Sequence, residues 1–121
     1  MQKILLMAAG LLFSLNISAQ STNDKILGKW TNEDKTRIIE FVKSGDTYDA
    51  IIRKAEDNSL VGKKQITALK AAGTTTFSDG TLHIIKKGKT AKCAASLSGD
   101  STLYIKGSYG MMSKSTTWTK L

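Results

Sequence analysis

Polar and apolar positions alternate along most of the chain beyond residue 25, in short runs punctuated by glycine, serine and acidic residues. Thr47–Lys54 is the clearest run: Tyr48, Ala50 and Ile52 alternate with Asp49, Ile51 and Arg53, the period of a strand with one buried face. The run before it, residues 36–43, puts Ile39 and Phe41 on one face and sets Ile38 and Val42 around Glu40 on the other. Ser44-Gly45-Asp46 between the two predicts a short hairpin loop. Residues 26–30 predict a first strand that ends in the polar turn 31–35, and residues 20–25 read as a frayed polar lead.

Further on, Asp79-Gly80 lies between runs 74–78 and 81–85, and that dipeptide predicts a hairpin. Lys86-Lys87-Gly88-Lys89 turns the chain into residues 90–97, where Ala91, Cys93, Ala95 and Leu97 share a face. Residues 102–107 alternate Leu103 and Ile105 with Tyr104 and Lys106; in 115–120, Trp118 is the one large apolar residue among threonines. The stretch 55–73 supports two readings. Ile66 and Leu69 with Ala68, Ala71 and Ala72 fit a short amphipathic helix, or a fourth strand near 64–69. Seven or eight short strands without a proline indicate an all-β sandwich or a small antiparallel barrel. Trp30 and Trp118, one in each terminal strand, favour a barrel whose two ends meet, and closure also removes exposed sheet edges.

Composition changes this picture in three places. Met1-Gln2-Lys3, the apolar run 4–17 and the small Ser18-Ala19 have the layout of a cleaved signal peptide. The run is shorter than the roughly 20 apolar residues of a spanning helix. The expectation is cleavage after Ala19 and a soluble, monomeric, periplasmic or secreted domain over residues 20–121. Cys93 is the only cysteine, so no internal disulfide forms and packing alone must hold the fold. Its position suits a small buried apolar residue rather than a reactive thiol. Charge, finally, is uneven. Residues 20–57 carry seven basic against eight acidic residues, whereas 58–121 carry ten lysines against Asp79 and Asp100. Such a half can meet an anionic lipid or glycan, or its lysines can be the solvent-facing partners in alternating strands. Export and the lack of aromatics between the lysines argue against nucleic acid.

Catalytic chemistry is hard to assemble. His83 is the only histidine, and Cys93 has no second thiol with which to share zinc. With Leu82 and Ile84 inward, His83 faces solvent while Cys93 points into the barrel, so no Cys–His dyad is expected. Glu40 reads as a solvent-facing partner of Arg37 or Arg53. No Gly-rich phosphate loop leads from a strand into a helix. No catalytic residue, metal or cofactor is therefore expected, and binding is the better class.

Several segments together resemble a bacterial family. Ile26-Leu27-Gly28-Lys29-Trp30 is similar to its opening Gly-x-Trp strand, and Gly45-Asp46-Thr47-Tyr48 to its Gly-Asp-x-Tyr hairpin. Phe77, Gly80 and Leu82 resemble its Trp-x-x-Gly-x-Ile segment with Phe in place of Trp, and Gly88-Lys89 its Gly-Lys turn. Leu103 to Gly107, Gly110, and Lys114 to Lys120 resemble the closing strand pair, with lysines where arginines are usual. On these residues the chain resembles the exported, lipocalin-like domain-of-unknown-function family numbered 2147, as a divergent member. The resemblance implies an up-and-down, lipocalin-like antiparallel β-barrel of about eight strands, and no activity. It further implies that the Gly28-x-Trp30 tryptophan plugs one end and that a basic residue near the last strand, Lys120 or Lys114, stacks on Trp30 or Trp118, so that Gly28, Trp30, Trp118 and Lys120 are the barrel-closing residues. A barrel of about eight strands can be filled by side chains or can hold one small ligand. Phe41, Tyr48, Ala50, Ile52, Ala91, Ala95, Leu103 and Ile105 are then the interior residues that would contact a small apolar or amphiphilic molecule. The alternative is an envelope module that binds anionic lipid or glycan through the Lys-rich C-terminal half.

Overall fold

Eight antiparallel strands follow one another around a closed barrel: β1 (Gly28–Asn32), β2 (Ile38–Ser44), β3 (Thr47–Lys54), β4 (Lys64–Ala71), β5 (Thr76–Ile84), β6 (Lys89–Ser98), β7 (Thr102–Tyr109) and β8 (Met112–Lys120). The computed structural model describes residues 24–121, so the signal-peptide reading of residues 1–19 lies outside the described residues. Helix among the described residues is limited to three single 3-10 turns, Asp24–Ile26, Asn58–Leu60 and Ile85–Lys87. The barrel closes where β1 meets β8, with Trp30 opposite Lys120, Thr31 opposite Thr119 and Asn32 opposite Trp118. Every strand thus has two neighbours, and no edge is left to recruit another chain.

The expected alternation sets the interior. Ile39 and Phe41 of β2, Tyr48, Ala50 and Ile52 of β3, and Leu103 and Ile105 of β7 are all buried. The β7–β8 connection is tighter than expected, because Tyr109 pairs with Met112 across the two-residue turn Gly110-Met111.

One open alternative is decided and one expectation fails, for one shared reason. Residues 64–71 form the strand alternative and not the helix. Ile66 and Leu69 both point inward because Ala68 is an extra residue in β4: Tyr48 pairs with Leu69 while Ala50 pairs with Ile66. The three-residue spacing that resembled a helix is the signature of a β-bulge. Ala68 sits in the left-handed region at φ 57°. The carboxylate of Asp49, 5% exposed, holds it by accepting the Ala68 N–H at 2.9 Å and the Lys64 ammonium at 2.9 Å. Asp79-Gly80 likewise makes no hairpin. It is a bulge inside the continuous strand β5, with Phe77 opposite Ala95 and Gly80 opposite Cys93. Asp79 takes φ 61°, and a Cβ on Gly80 would come within 2.8 Å of Leu69 Cδ1 and 3.2 Å of the Leu69 Cα. The glycine therefore serves the close approach of β5 to bulged β4, while the real turn lies at residues 72–75.

The turns β2–β3, β4–β5 and β6–β7 gather at one end of the barrel with both ends of the described chain, and the other four connections gather at the opposite end. The first strand begins at Gly28 rather than Ile26, and Asp24 and Lys25 are not frayed. The turn Asp24–Ile26 lies across the first end and buries Ile26 completely. Asp24 accepts the Tyr48 hydroxyl at 2.7 Å and the Lys43 ammonium at 3.1 Å, and Lys25 pairs with Asp100 at 3.1 Å. Beneath it Trp30 is fully buried and donates its indole N–H to the Ile26 carbonyl at 2.8 Å. Lys120 caps this plug. Its ammonium lies 5.0 Å from the Trp30 ring centroid and donates to the carbonyls of Lys25 and Leu27, and burial lowers its pKa from the ordinary lysine value. Gly28, at φ 113°, lets the chain turn from this lid into β1 beside the Lys120 stem.

Four outcomes follow from these contacts. Ala68→Gly removes the left-handed strain and should raise stability by about 0.5–1 kcal/mol in urea unfolding, whereas Asp49→Ala, which leaves the Ala68 N–H without its acceptor, should cost about 1–3 kcal/mol. Lys120→Met keeps the stem but orphans two carbonyls, and should lower stability by about 1–3 kcal/mol in the same measurement. The Tyr48 hydroxyl and Lys43 hold the Asp24 carboxyl below the usual range. Burial pushes Asp49 up, but the Ala68 N–H and Lys64 outweigh it and its carboxyl also ends low. Depressed folded values stabilise above about pH 4 and lose that contribution as pH falls through them. Melting temperature should drop between about pH 5 and about pH 3, and less steeply in Asp49→Asn, as followed by circular dichroism.

Candidate functional site

The half of the barrel away from the plug is not filled. The closed half holds Trp30, Phe41, Phe77 and Tyr48, the last two packed edge-to-face at 5.5 Å. Toward the open end the inward positions include Ala91, Gly107 and Thr116, which are small. A cavity of about 490 Å³ results, walled by Ile39, Ile66, Leu82, Ile84, Ala91, Ile105, Gly107, Thr116 and Trp118. That volume lies within the roughly 300–1,000 Å³ of small-molecule sites. Gly107 has a defined part in its shape, since a Cβ there would meet Leu82 Cδ2 at 2.8 Å.

The cavity wall is mostly apolar and its polar groups sit at the mouth. Trp118 donates its indole N–H to the Thr116 hydroxyl at 2.9 Å, so the polar edge of the ring is satisfied within the wall. Gln65 is engaged on both sides, accepting from Arg37 at 2.6 Å and donating to the His83 carbonyl at 2.8 Å. Lys87 and Lys114 complete the mouth, and neither has a carboxylate within 4 Å among the described residues. The site is therefore an apolar pocket with two unpaired cations at its entrance. Such a pocket takes an apolar body and favours a polar or anionic head.

The structure sorts the residues named from the sequence into two groups. All eight interior candidates lie inside the barrel, but only Ala91 and Ile105 line the cavity. Phe41, Tyr48, Ala50, Ile52, Ala95 and Leu103 belong to the packed core instead. Trp30, Gly28 and Lys120 lie at the shut end, while Trp118 lies in the closing β1–β8 seam opposite Asn32 and belongs to both the core and the cavity wall. Lys114 is at the mouth rather than stacked on an indole. Sequence reasoning missed Ile39, Ile66, Leu82, Ile84, Gly107 and Lys87 as cavity residues. A usable signal existed. In an up-and-down barrel alternate turns share an end, so the Gly-x-Trp plug marks the first end as shut and the inward residues beside the other turns as the mouth.

Among the described residues, no three His, Cys, Asp or Glu side chains gather where they could hold a metal ion. His83 points outward, its Nε2 2.8 Å from the Thr67 hydroxyl, and Glu40 pairs with Arg53 at 2.8 Å. Cys93 is buried in the wall between β5 and β7, and burial pushes its thiol up to about 11, far from the thiolate form that reacts.

Comparison with known proteins agrees with this architecture. No curated protein matches the chain. Among solved structures it is similar to one described as "Protein HP1028 from the human pathogen Helicobacter pylori belongs to the lipocalin family", with a TM-score of 0.66 and 17% sequence identity, covering 79% of this chain and 82% of that one. At that identity the likeness shows a shared lipocalin-like fold. Residues 28–120, from the first residue of β1 to the last of β8, match the family described as "Uncharacterized protein conserved in bacteria (DUF2147)", and the chain belongs to that family.

Proposed function

We propose that this chain is an exported, non-enzymatic carrier that holds a small apolar or amphiphilic molecule in the open half of the barrel. The observation that carries the reading is the unfilled, mostly apolar cavity of about 490 Å³ with Lys87 and Lys114 unpaired at its mouth. A barrel whose only task was to be stable would gain by filling that space, since unfilled core volume forfeits packing contacts. The tail of the ligand lies against Ile39, Ile66, Leu82, Ile105 and Trp118, and its head meets the two lysines. The leader-like layout of residues 1–19 supports a periplasmic or secreted setting. The lipocalin-like fold supports the same class of function by analogy alone.

Dodecanoate and dodecanol are suitable probes, followed by tryptophan emission. Trp118 is on the cavity wall while Trp30 is sealed in the plug, so the change on binding should vanish in Trp118→Phe. Ala91→Phe fills the cavity and should weaken both probes at least about tenfold, with the melting temperature showing that the barrel remains folded. Lys87→Gln with Lys114→Gln should narrow the preference for dodecanoate by a few-fold per lysine, the scale of exposed charge pairs at about 0.2–1 kcal/mol each. Dodecanoate binding that Ala91→Phe leaves unchanged would overturn the reading. Native mass spectrometry of the protein purified from its own host would then identify any molecule that travels with it.

A further inference from the structure

The open rim is chemically lopsided. Around the barrel its connections run β1–β2, β3–β4, β5–β6, β7–β8. The first two and the strand ends beside them are mixed in charge, setting Glu33, Asp34, Glu56 and Asp57 among Lys35, Arg37, Lys54, Lys63 and Lys64, whereas the last two and the strand ends beside them carry Lys86, Lys87, Lys89 and Lys114 with no acidic residue. Lys86 lies 3.8 Å from Asp57 across the mouth. Lys87, Lys89 and Lys114 have no carboxylate within 4 Å among the described residues. On this basic side the β7–β8 turn projects three apolar side chains, Tyr109 at 53%, Met111 at 104% and Met112 at 76% exposure. Gly110, at φ 61°, makes the turn tight enough to push them outward. The Lys89 ammonium stays 5.8 Å from the Tyr109 ring, so cation and aromatic share the tip.

Adjacent apolar side chains left largely in water, bordered by cations, need an occupant that offers both an apolar phase and negative charge. An anionic bilayer surface offers the two together. A second copy of the chain does not, because a two-fold contact through this tip would bring the same lysines face to face. The tip is also continuous with the cavity, since Tyr109, Met112, Lys87 and Lys114 all border its mouth. We infer that the barrel docks on anionic lipid through the β7–β8 tip. Met111 and Met112 enter the boundary between headgroups and acyl chains, and Lys87, Lys89 and Lys114 meet the lipid phosphates. The mixed-charge side of the rim, where the carboxylates lie, tilts away, and the cavity opens onto the bilayer. Docking does not depend on what the cavity holds, so it and the carrier reading can fail separately.

Co-sedimentation of the full chain with vesicles tests this directly. Vesicles of about 30% phosphatidylglycerol in phosphatidylcholine should bind the protein, and pure phosphatidylcholine should not. Binding should weaken as salt rises. Met111→Asp with Met112→Asp, changes at two exposed positions, the turn residue and the first residue of β8, should reduce partitioning at least tenfold. Lys87→Glu or Lys114→Glu should reduce it by at least roughly fivefold, the loss that removing one lysine's attraction alone would bring. Lys70→Glu, an equal charge change on an exposed position toward the closed end, should have a small effect by comparison. Equal loss in Lys70→Glu would mean that net charge alone drives binding, and would overturn the inference. So would vesicle binding that survives the double methionine change, or light scattering that shows a dimer which the same change dissolves.

Discussion

The Trp30 indole is held on two sides by groups from opposite ends of the chain. Its N–H is taken by the Ile26 carbonyl and its face by the Lys120 ammonium, which also binds the carbonyls of the lid above it. Through this one ring the lid, the first strand and the last strand become a single unit. The seam it sits beside is short, with three paired positions between β1 and β8, compared with seven or eight along the β6–β7 and β7–β8 ladders. A buried aromatic truncated to alanine typically costs about 3–5 kcal/mol, a large share of the roughly 5–15 kcal/mol that holds a small domain together. Because the plug shuts one end, the vacancy in the interior is confined to the other.

That division gives the barrel two halves with different duties. Large rings fill the closed half, and Asp24 ties its rim to Tyr48 and Lys43. In the open half, small residues in β6, β7 and β8 leave the wall apart, and the ladder hydrogen bonds of the strands keep it from collapsing inward. The carboxylate of Asp49 serves the same end at a distance. By fixing the extra residue in β4 it keeps both Ile66 and Leu69 inward, one lining the cavity and the other the core.

Much of this was legible in the residues. Tyr48, Ala50 and Ile52, and Leu82 and Ile84 around His83, reveal their faces by simple alternation, and the paired terminal tryptophans point to a closed sheet. Where the sequence misled, the cause was backbone in the left-handed region. Ala68 and Asp79 each add one residue to a strand without changing direction. The bulge at Ala68 turned a period of two into an apparent period of three, and Asp79-Gly80 imitated a turn. Alanine does not announce such a conformation, and aspartate, which tolerates it, signals a turn more readily than a bulge; Asp49 and the approach of Leu69 to Gly80 hold it from neighbouring strands. The cavity was hidden for another reason. It depends on which interior positions fall beyond the plug, and hence on barrel stagger, which periodicity within one strand does not contain. Trp118 shows this best, since it shares a ladder position with core residue Leu103 yet reaches the cavity wall.

The order of pairing around the barrel also bears on how the chain can mature. Seven of the eight ladders join consecutive strands, so they can form locally as the polypeptide appears. The eighth joins Trp30 to Lys120, ninety residues later, and cannot exist until β8 has emerged. A chain delivered from its N-terminus, by a ribosome or through a membrane channel, therefore keeps two open strand edges and an exposed indole until β8 is delivered. Closure is then the last ladder of the barrel to form, and until it occurs the growing sheet is a segment that a chaperone can hold.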